Sequence, residues 1–251
     1  MELFAGRGGY RCNGTECLLE GSVPRVLRSQ AKFSHYAFLT RNGSAAADLT
    51  QAIAQPAAPE KIGILSGNCN HPKTLRKLLD YVPRSTSSLA FIDPGGYLKI
   101  HWDTIEQLSV RGKNWEGGKM ELLIIFPLEM ALVKNLMRTE CEPSITRFYG
   151  NREWERLKRQ KLGGKIGNQE IQTGLVEIFK NGLKNLGYRY VDDFRPLSPT
   201  AEPYYHLICA NDSGSRAKIL QEAWGKTRYL RCELLYGSGV KKKRTRSSIN
   251  I

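Results

Sequence analysis

The chain has 251 residues, of which 41% are hydrophobic, and its 38 Lys and Arg against 24 Asp and Glu give a formal charge of +14. This length and composition suffice for one large core, so we expect one α/β domain over residues 1–236 and a basic tail over residues 237–251. No apolar run approaches the roughly 20 residues that a membrane span needs, and no secretory signal opens the chain. We therefore expect a cytoplasmic protein without a membrane partner.

The excess of positive charge bears on the partners of the chain. A charge of +14 concentrates phosphate polymers at a surface and predicts a nucleic-acid partner. A basic surface that only keeps the chain in solution, or that matches an acidic protein, is the alternative.

The cysteines are scattered, without the paired spacing of a zinc site or the density of a disulfide scaffold. They are Cys12, Cys17, Cys69, Cys141, Cys209 and Cys232. This spacing indicates reduced, mostly buried thiols, and we predict no metal site.

The predicted elements alternate between helices and apolar strands. Residues 1–9 end a strand and enter a glycine-rich turn, and because a central parallel strand needs about five or six residues, we expect the native chain to begin further upstream. Helices are predicted over residues 22–32, with Ser22 as cap, and over 44–54, 72–81, 102–108, 173–186 and 215–224. Strands are predicted over residues 35–40, 62–66, 88–93, 121–126, 188–194 and 204–210. This order is typical of a doubly wound, mostly parallel sheet, with an antiparallel edge near the C-terminus.

The ends of the first four strands predict one pocket, because ligands of open α/β sheets bind beyond the carboxyl ends of the strands. Gly6 and Gly8 allow close approach of the backbone to a ligand, and Glu2 lies just before the turn; a tight strand exit is the alternative. No helix follows the turn directly, which argues against a dinucleotide phosphate site. S-adenosylmethionine carries no phosphate and tolerates this arrangement better.

Asp93 follows an apolar strand and precedes Pro94-Gly95-Gly96. A carboxylate at this point lies at the mouth of the predicted pocket, where it can orient a substrate amine or hydroxyl or accept its proton. An Asp that only caps the turn through backbone N–H groups is the alternative.

A basic stretch around Trp154 interleaves cations with Phe148 and Tyr149. Such a pattern suits phosphate contacts combined with base stacking, whereas aromatic packing beneath solvated charges is the alternative. The predicted nucleic-acid-binding residues are Arg152, Arg156, Lys158, Arg159, Lys161 and Lys165, together with Lys241, Lys242, Lys243 and Arg244 in the tail.

Four blocks, ELFAGRGGY, SLAFIDPGG, ELLIIFP and FYGNREW, occur in this order. They resemble the recurring blocks of the three-Cys-motif partner proteins, and the resemblance runs from the first residue to about Trp224. It implies a Rossmann-like S-adenosylmethionine-methyltransferase fold, mobile or phage-related gene neighbourhoods, and a radical-SAM-like three-Cys protein as the genomic partner.

Two positions depart from the pattern of that family. Thr40 and Arg41 follow the second strand, where such proteins tend to have an acidic residue able to hold the cofactor ribose, and Asn68 replaces an Asp after Gly67. Asn68 can still hydrogen-bond an adenine edge, but Thr40 cannot replace a carboxylate on a ribose diol. These departures predict that cofactor binding is weakened or lost.

Two functions follow from these residues. The first is an S-adenosylmethionine-dependent methyltransferase of nucleic acid or a nucleotide-like substrate, with Asp93 as the catalytic group and Glu2, Gly6, Gly8 and Asn68 on the cofactor side. The second is a non-catalytic nucleic-acid-binding or partner-docking module on the same fold. The usual base-amine signature and a Pro-Cys nucleophile are absent, which argues against ordinary DNA methylation of either kind, and the lack of a clustered acidic triad argues against a metal-dependent nuclease.

Overall fold

The structure is a computed structural model. It describes residues 1–11, 18–30, 32–53, 62–111, 119–128, 132–195 and 206–235. The predicted tail, with Lys241, Lys242, Lys243 and Arg244, lies outside these ranges.

Helices and strands alternate along the described chain, which confirms a mixed α/β architecture. The strands are β1 (Gly9–Arg11), β2 (Leu18–Glu20), β3 (Tyr36–Thr40), β4 (Ile62–Ser66), β5 (Leu89–Ile92), β6 (Glu121–Phe126), β7 (Tyr190–Phe194) and β8 (His206–Asn211). The helices are α1 (Ser22–Arg28), α2 (Gly43–Ile53), α3 (Pro72–Asp80), α4 (Trp102–Ser109), α5 (Val133–Asn135), α6 (Glu142–Tyr149), α7 (Trp154–Leu162), α8 (Asn168–Asn185) and α9 (Gly214–Leu235). A 3₁₀ turn over Tyr97–Lys99 connects β5 to α4.

The sheet is mixed. β3 pairs with β4 and β5 with β6 in parallel, whereas β8 pairs antiparallel with both β6 and β7. The first residues of the chain, which we call the N-terminal segment (residues 1–5), join the two parallel pairs. Glu2 forms parallel bridges to Phe38 of β3 and to Phe91 of β5. The order across the sheet is therefore β4, β3, N-terminal segment, β5, β6, β8, β7.

The antiparallel pairing predicted near the C-terminus is confirmed, because β7 and β8 form an antiparallel pair. Since β8 is antiparallel to both of its neighbours, β7 runs in the same direction as β6. The hairpin of β1 and β2 forms a separate two-stranded sheet that the sequence patterns did not predict.

The core lies between the sheet and the helices that follow it. All five residues of β3 are buried, as expected for a strand inside a parallel sheet. Phe179 of α8 stacks on Phe148 of α6 with 5.3 Å between ring centroids, and it lies 5.1 Å from the ring of Phe126 in β6. These aromatic contacts fix α6 and α8 against the sheet.

The aromatic residues of the basic stretch belong to this core. Phe148, Tyr149 and Trp154 are 2%, 1% and 0% exposed. The sequence pattern predicted that these side chains stack on bases. That prediction is wrong because their rings are already enclosed by protein. The alternative, in which aromatics pack the helices while the charges face solvent, describes them correctly.

The role predicted for Ser22 also needs correction. Helix α1 begins at Ser22 itself, and Gly21 occupies the N-cap position without a side-chain cap. The hydroxyl of Ser22 instead donates a hydrogen bond to the carboxylate of Glu2 at 2.5 Å. The side chain thus joins α1 to the N-terminal segment.

Three cysteines have described side chains. Cys69 and Cys209 are buried free thiols, and Cys141 is a half-buried one. Burial raises the pKa of Cys69 to about 11, so this thiol is protonated at neutral pH. Within the described ranges, no helix combines the length and the apolar character that a membrane crossing requires.

Candidate functional site

A cleft of about 830 Å³ opens beyond the carboxyl ends of the parallel strands. Its walls are formed by the segments that follow the N-terminal segment, β3, β4 and β5. Gly6, Asn68 and Asp93 all line it, so the structure brings these three predicted site residues together. The volume lies within the range of small-molecule sites in proteins.

Gly6 and Gly8 have different environments in the glycine turn. Gly6 has φ +63°, lines the cleft, and a Cβ placed on it would meet no atom within 4 Å. Gly8 has φ +89°, and a Cβ there would lie only 2.7 Å from the Cβ of Ala52 in α2. Gly6 therefore leaves space for a ligand, whereas Gly8 permits close packing of α2 and lies outside the cleft lining.

Glu2 also lies outside the cleft lining. Glu2 is only 5% exposed, and its carboxylate accepts the hydrogen bond from Ser22. Burial raises the pKa of Glu2, and the hydrogen bond from Ser22 opposes that shift. The contacts of Glu2 thus hold α1 in place, and a ligand in this cleft meets Gly6 and Asn68 instead.

The wall after β3 contains no carboxylate. Thr40 is 1% exposed, and its hydroxyl donates to the backbone oxygens of Asn42 at 3.1 Å and Leu65 at 3.3 Å. The side-chain oxygen of Asn42 accepts from the N–H of Ala45 at 2.9 Å, near the beginning of α2. Arg41 is exposed and lines the cleft. A ribose diol would therefore find no acidic partner at this strand end.

The wall after β4 presents an amide. The side-chain oxygen of Asn68 accepts a hydrogen bond from the N–H of Asn70 at 2.9 Å, which fixes the orientation of the group. The NH₂ of Asn68 has no partner among the described residues. It can donate a hydrogen bond to a ring nitrogen of a nucleobase that acts as an acceptor.

Asn70 links this wall to the next one, and the sequence patterns did not single it out. Its side-chain oxygen accepts from the N–H of His101 and from the hydroxyl of Thr104, both at 2.9 Å. Its NH₂ donates to the backbone oxygen of Lys99 at 2.9 Å. Asn70 therefore positions the segment that carries Lys99 and His101 along the cleft.

Asp93 is exposed and lines the cleft. The surrounding walls still reduce its hydration and raise its pKa, while a hydrogen bond from the N–H of Gly95 and the nearby Lys99 ammonium oppose the rise. The ammonium lies over the turn, 3.6 Å from the position that a Cβ on Gly95 would occupy. Asp93 thus stabilises its own turn and also presents a carboxylate to the cleft.

His101 is a further titratable group of this wall, and the sequence analysis missed it. Partial burial lowers its pKa, Arg147 lowers it further, and Asp103 opposes the shift. The imidazole is therefore neutral at pH 7 and can accept a proton or a hydrogen bond. A histidine directly before α4, eight residues after Asp93, is the signal that could have identified it.

The predicted nucleic-acid-binding cations on and around α7 are separate from this cleft. Arg152 pairs with Glu155, and Lys158, whose side chain is 12% exposed, pairs with Glu142 at 2.8 Å. Two of the predicted contacts therefore already have carboxylate partners. The remaining cations have no acidic partner within the described part of the chain; they are Arg156, Arg159, Lys161 and Lys165.

Among the described residues, no three His, Cys, Asp or Glu side chains converge as metal ligands would. No family model, no curated protein and no solved structure matches the chain. The resemblance to the three-Cys-motif partner proteins stays a prediction that rests on the four sequence blocks.

Proposed function

We propose that the chain is an S-adenosylmethionine-dependent methyltransferase with a Rossmann-like fold, acting on nucleic acid or a nucleotide-like substrate. The observation that carries the proposal is the strand order. If the N-terminal segment is counted as the first strand and β3 to β8 as the second to the seventh, the order across the sheet is 3-2-1-4-5-7-6. The seventh strand in this count, β8, runs antiparallel to its neighbours. This order differs from the doubly wound order 3-2-1-4-5-6 by one reversed strand inserted before the last, and sheets of the doubly wound order bind adenine-containing ligands beyond the carboxyl ends of their strands, which supports the proposal.

The cleft fits an adenosyl ligand at two of its walls. Gly6 leaves open space beside the backbone, and the free amide of Asn68 suits an adenine edge. Leu98, 60% exposed, adds an apolar surface to the same cleft. The wall after β3 supplies no carboxylate for the ribose, so we expect weaker binding than a site with that acid would give.

When bound, the cofactor supplies a methyl group on a sulfonium. The protein then has to hold an electron-rich substrate atom in line with that group, and it contributes mainly proximity. The carboxylate of Asp93 can accept a hydrogen bond or a proton from a substrate amine or hydroxyl, and its raised pKa makes it a stronger base than an ordinary Asp. The neutral His101 offers a second acceptor in the same wall.

One observation favours the second candidate, a non-catalytic nucleic-acid-binding or partner-docking module. Thr40 uses its hydroxyl on backbone oxygens, and Arg41 adds a positive charge where a ribose clasp would need a negative one. A chain that had lost the cofactor would keep the fold and the basic surface while binding no adenosyl ligand.

Calorimetric titration with S-adenosylmethionine and S-adenosylhomocysteine separates the two candidates. We expect both to bind, and we expect Asn68→Ala to weaken binding by about two- to tenfold, the value of one hydrogen bond. Asn185→Ala is the matched control because Asn185 is exposed at the end of α8, outside the cleft lining. Absence of heat with the folded wild-type protein at high concentration would leave only the non-catalytic module.

A further inference from the structure

The mouth of the cleft carries more positive than negative charge. The positive side chains of its lining are Arg7, Arg41 and Lys99, the neutral His101 lies beside them, and Asp93 is the one acidic side chain of the lining. Arg7 already has an acidic partner, because its guanidinium forms an ion pair with Asp48. S-adenosylmethionine has one carboxylate but also an ammonium and a sulfonium, so it is a net cation and does not account for this excess of basic groups.

Two of these cations remain available, and we call them the rim cations (Arg41 and Lys99). Both residues are exposed, and neither side chain has a hydrogen-bonding partner within the described ranges. Lys99 lies beside the carboxylate of Asp93, with its ammonium over Gly95. An arginine and a lysine in this state are ready to contact phosphate oxygens.

The rim cations lie on opposite walls of the cleft. Arg41 directly follows β3, and Lys99 ends the 3₁₀ turn that follows β5. The N-terminal segment lies between these two strands, so the strands themselves are about 10 Å apart, two strand spacings. A nucleotide that spans the mouth can thus place the phosphates on its two sides near the two cations.

The space between the rim cations is bordered by the wall that follows β5. Asp93 lies there, and the 60% exposed Leu98 offers an apolar surface on which a base can pack. A base inside a duplex is stacked and paired, so it can enter the space between two walls only after it leaves the stack, whereas an unpaired base can enter directly. The exposed Arg147 extends the positive charge beyond His101 along α6.

We infer that Arg41 and Lys99 hold the backbone phosphates of a single-stranded nucleic acid across the cleft mouth, so that one unpaired base enters towards Asp93. This inference rests on the proposed function for the role of Asp93, but the binding itself does not require the cofactor. It assigns the main nucleic-acid contact to the cleft rim and not to the cations of α7.

Fluorescence anisotropy on the full chain tests this inference with labelled single strands of about 12 nucleotides, of DNA and of RNA. The double variant Arg41→Ala/Lys99→Ala is compared with Arg156→Ala/Arg159→Ala, which removes the same charge from exposed, unpaired positions on α7. We expect the rim variant to weaken binding at least about tenfold and to reduce the slope of log K against log salt by about 1.4, two phosphates at about 0.7 each. The α7 variant should change affinity less than about threefold.

Three results would overturn the inference: equal losses in the two variants, a larger loss in the α7 variant, or wild-type affinity for a fully paired duplex equal to that for the single strand. Circular dichroism melting of both variants verifies that they fold. Titration of the wild type with S-adenosylmethionine keeps the two proposals separate. If the cofactor fails to bind but the rim variant alone loses the oligonucleotide, the rim assignment stands and the methyltransferase proposal fails.

Discussion

Asp93 combines two roles that the sequence presented as alternatives. It accepts a hydrogen bond from the N–H of Gly95, as a turn-capping Asp does, and it also presents its carboxylate to the cleft. An Asp with one oxygen engaged by the backbone still has lone pairs for a substrate. Because the two roles use the same group, a substitution that separates them has to keep the acceptor and remove the charge.

Asp93→Asn makes that separation, because an amide oxygen can still accept from Gly95. We expect cofactor affinity to change less than about threefold and methyl transfer to fall by about 100-fold or more, the contribution of a general base. Transfer of labelled methyl groups to single-stranded oligonucleotides measures the effect. Asp80→Asn, at the exposed end of α3, is the control and should be fully active. Equal activity of Asp93→Asn and wild type would exclude Asp93 from the chemistry.

The pH profile offers an independent check on the same residue. The cleft walls raise the pKa of Asp93 above the ordinary value of 3.8, so the carboxylate takes up its proton at a higher pH than an exposed Asp does. Activity that needs the ionised form is therefore present above the raised pKa and is lost as the pH falls through it. We expect the acidic limb of kcat/KM to lie above pH 3.8; a limb at or below that value would contradict the assignment.

At the scale of single residues, the sequence predicted part of the site. Gly6, Asn68 and Asp93 could be identified because each lies within two residues of the end of an apolar strand. Lys99 could not, because the 3₁₀ turn after Gly96 determines its position, whereas His101 was missed although its place directly before α4 is a signal in the sequence. Asn70 holds that turn through hydrogen bonds to residues 29 to 34 positions away, and no local pattern encodes such contacts.

At the scale of elements, one charged network joins a helix to the antiparallel pair. Lys180 of α8 donates to Asp193 of β7 at 2.9 Å and to Glu177 at 2.7 Å. Nδ1 of His206, in β8, lies 2.9 Å from the other oxygen of Asp193. The hydrogen bond from His206 and the charge of Lys180 lower the pKa of Asp193. Asp193 therefore ties α8, β7 and β8 together.

Asp193→Asn should weaken this junction. We expect a loss of about 1–3 kcal/mol in the free energy of unfolding, the cost of leaving mostly buried polar groups poorly paired. Since the pKa of Asp193 is lowered, its stabilisation is present above the ordinary value of 3.8 and is lost as the pH falls below it, so the variant and the wild type should converge in acid. Urea unfolding at pH 7 and in acid measures both effects.

Asp192→Asn is the matched control on the same strand. Asp192 accepts one exposed hydrogen bond from Gln221 at 3.3 Å, and its substitution should cost less than about 0.5 kcal/mol. Equal losses for the two variants would contradict a special role for Asp193.

The elements themselves were predicted with uneven success. The bounds of β4 and β6 were correct because short apolar runs between polar residues define them. Helix α8 begins at Asn168, five residues before the predicted start, because its first turn is polar and lacks the apolar spacing used to find it. Helices α6 and α7 were not predicted as such, since their dense charge suggested a binding stretch and concealed the buried aromatic face.

At the scale of the whole molecule, the alternation of elements predicted an α/β domain, but it did not determine the order of the strands. That order depends on backbone pairing between distant segments, above all on the N-terminal segment, whose Glu2 bridges both β3 and β5. The central position of this segment places Gly6 at the middle of the carboxyl edge. Composition likewise predicted a basic surface without distinguishing the rim cations from those of α7.

The binding of an adenosyl ligand in the cleft is the central claim, and a crystal structure with S-adenosylhomocysteine tests it most directly. We predict density for the nucleoside between Gly6 and Asn68, with the sulfur towards Asp93. Density on another surface, or a cleft without ligand at saturating concentration, would contradict the claim.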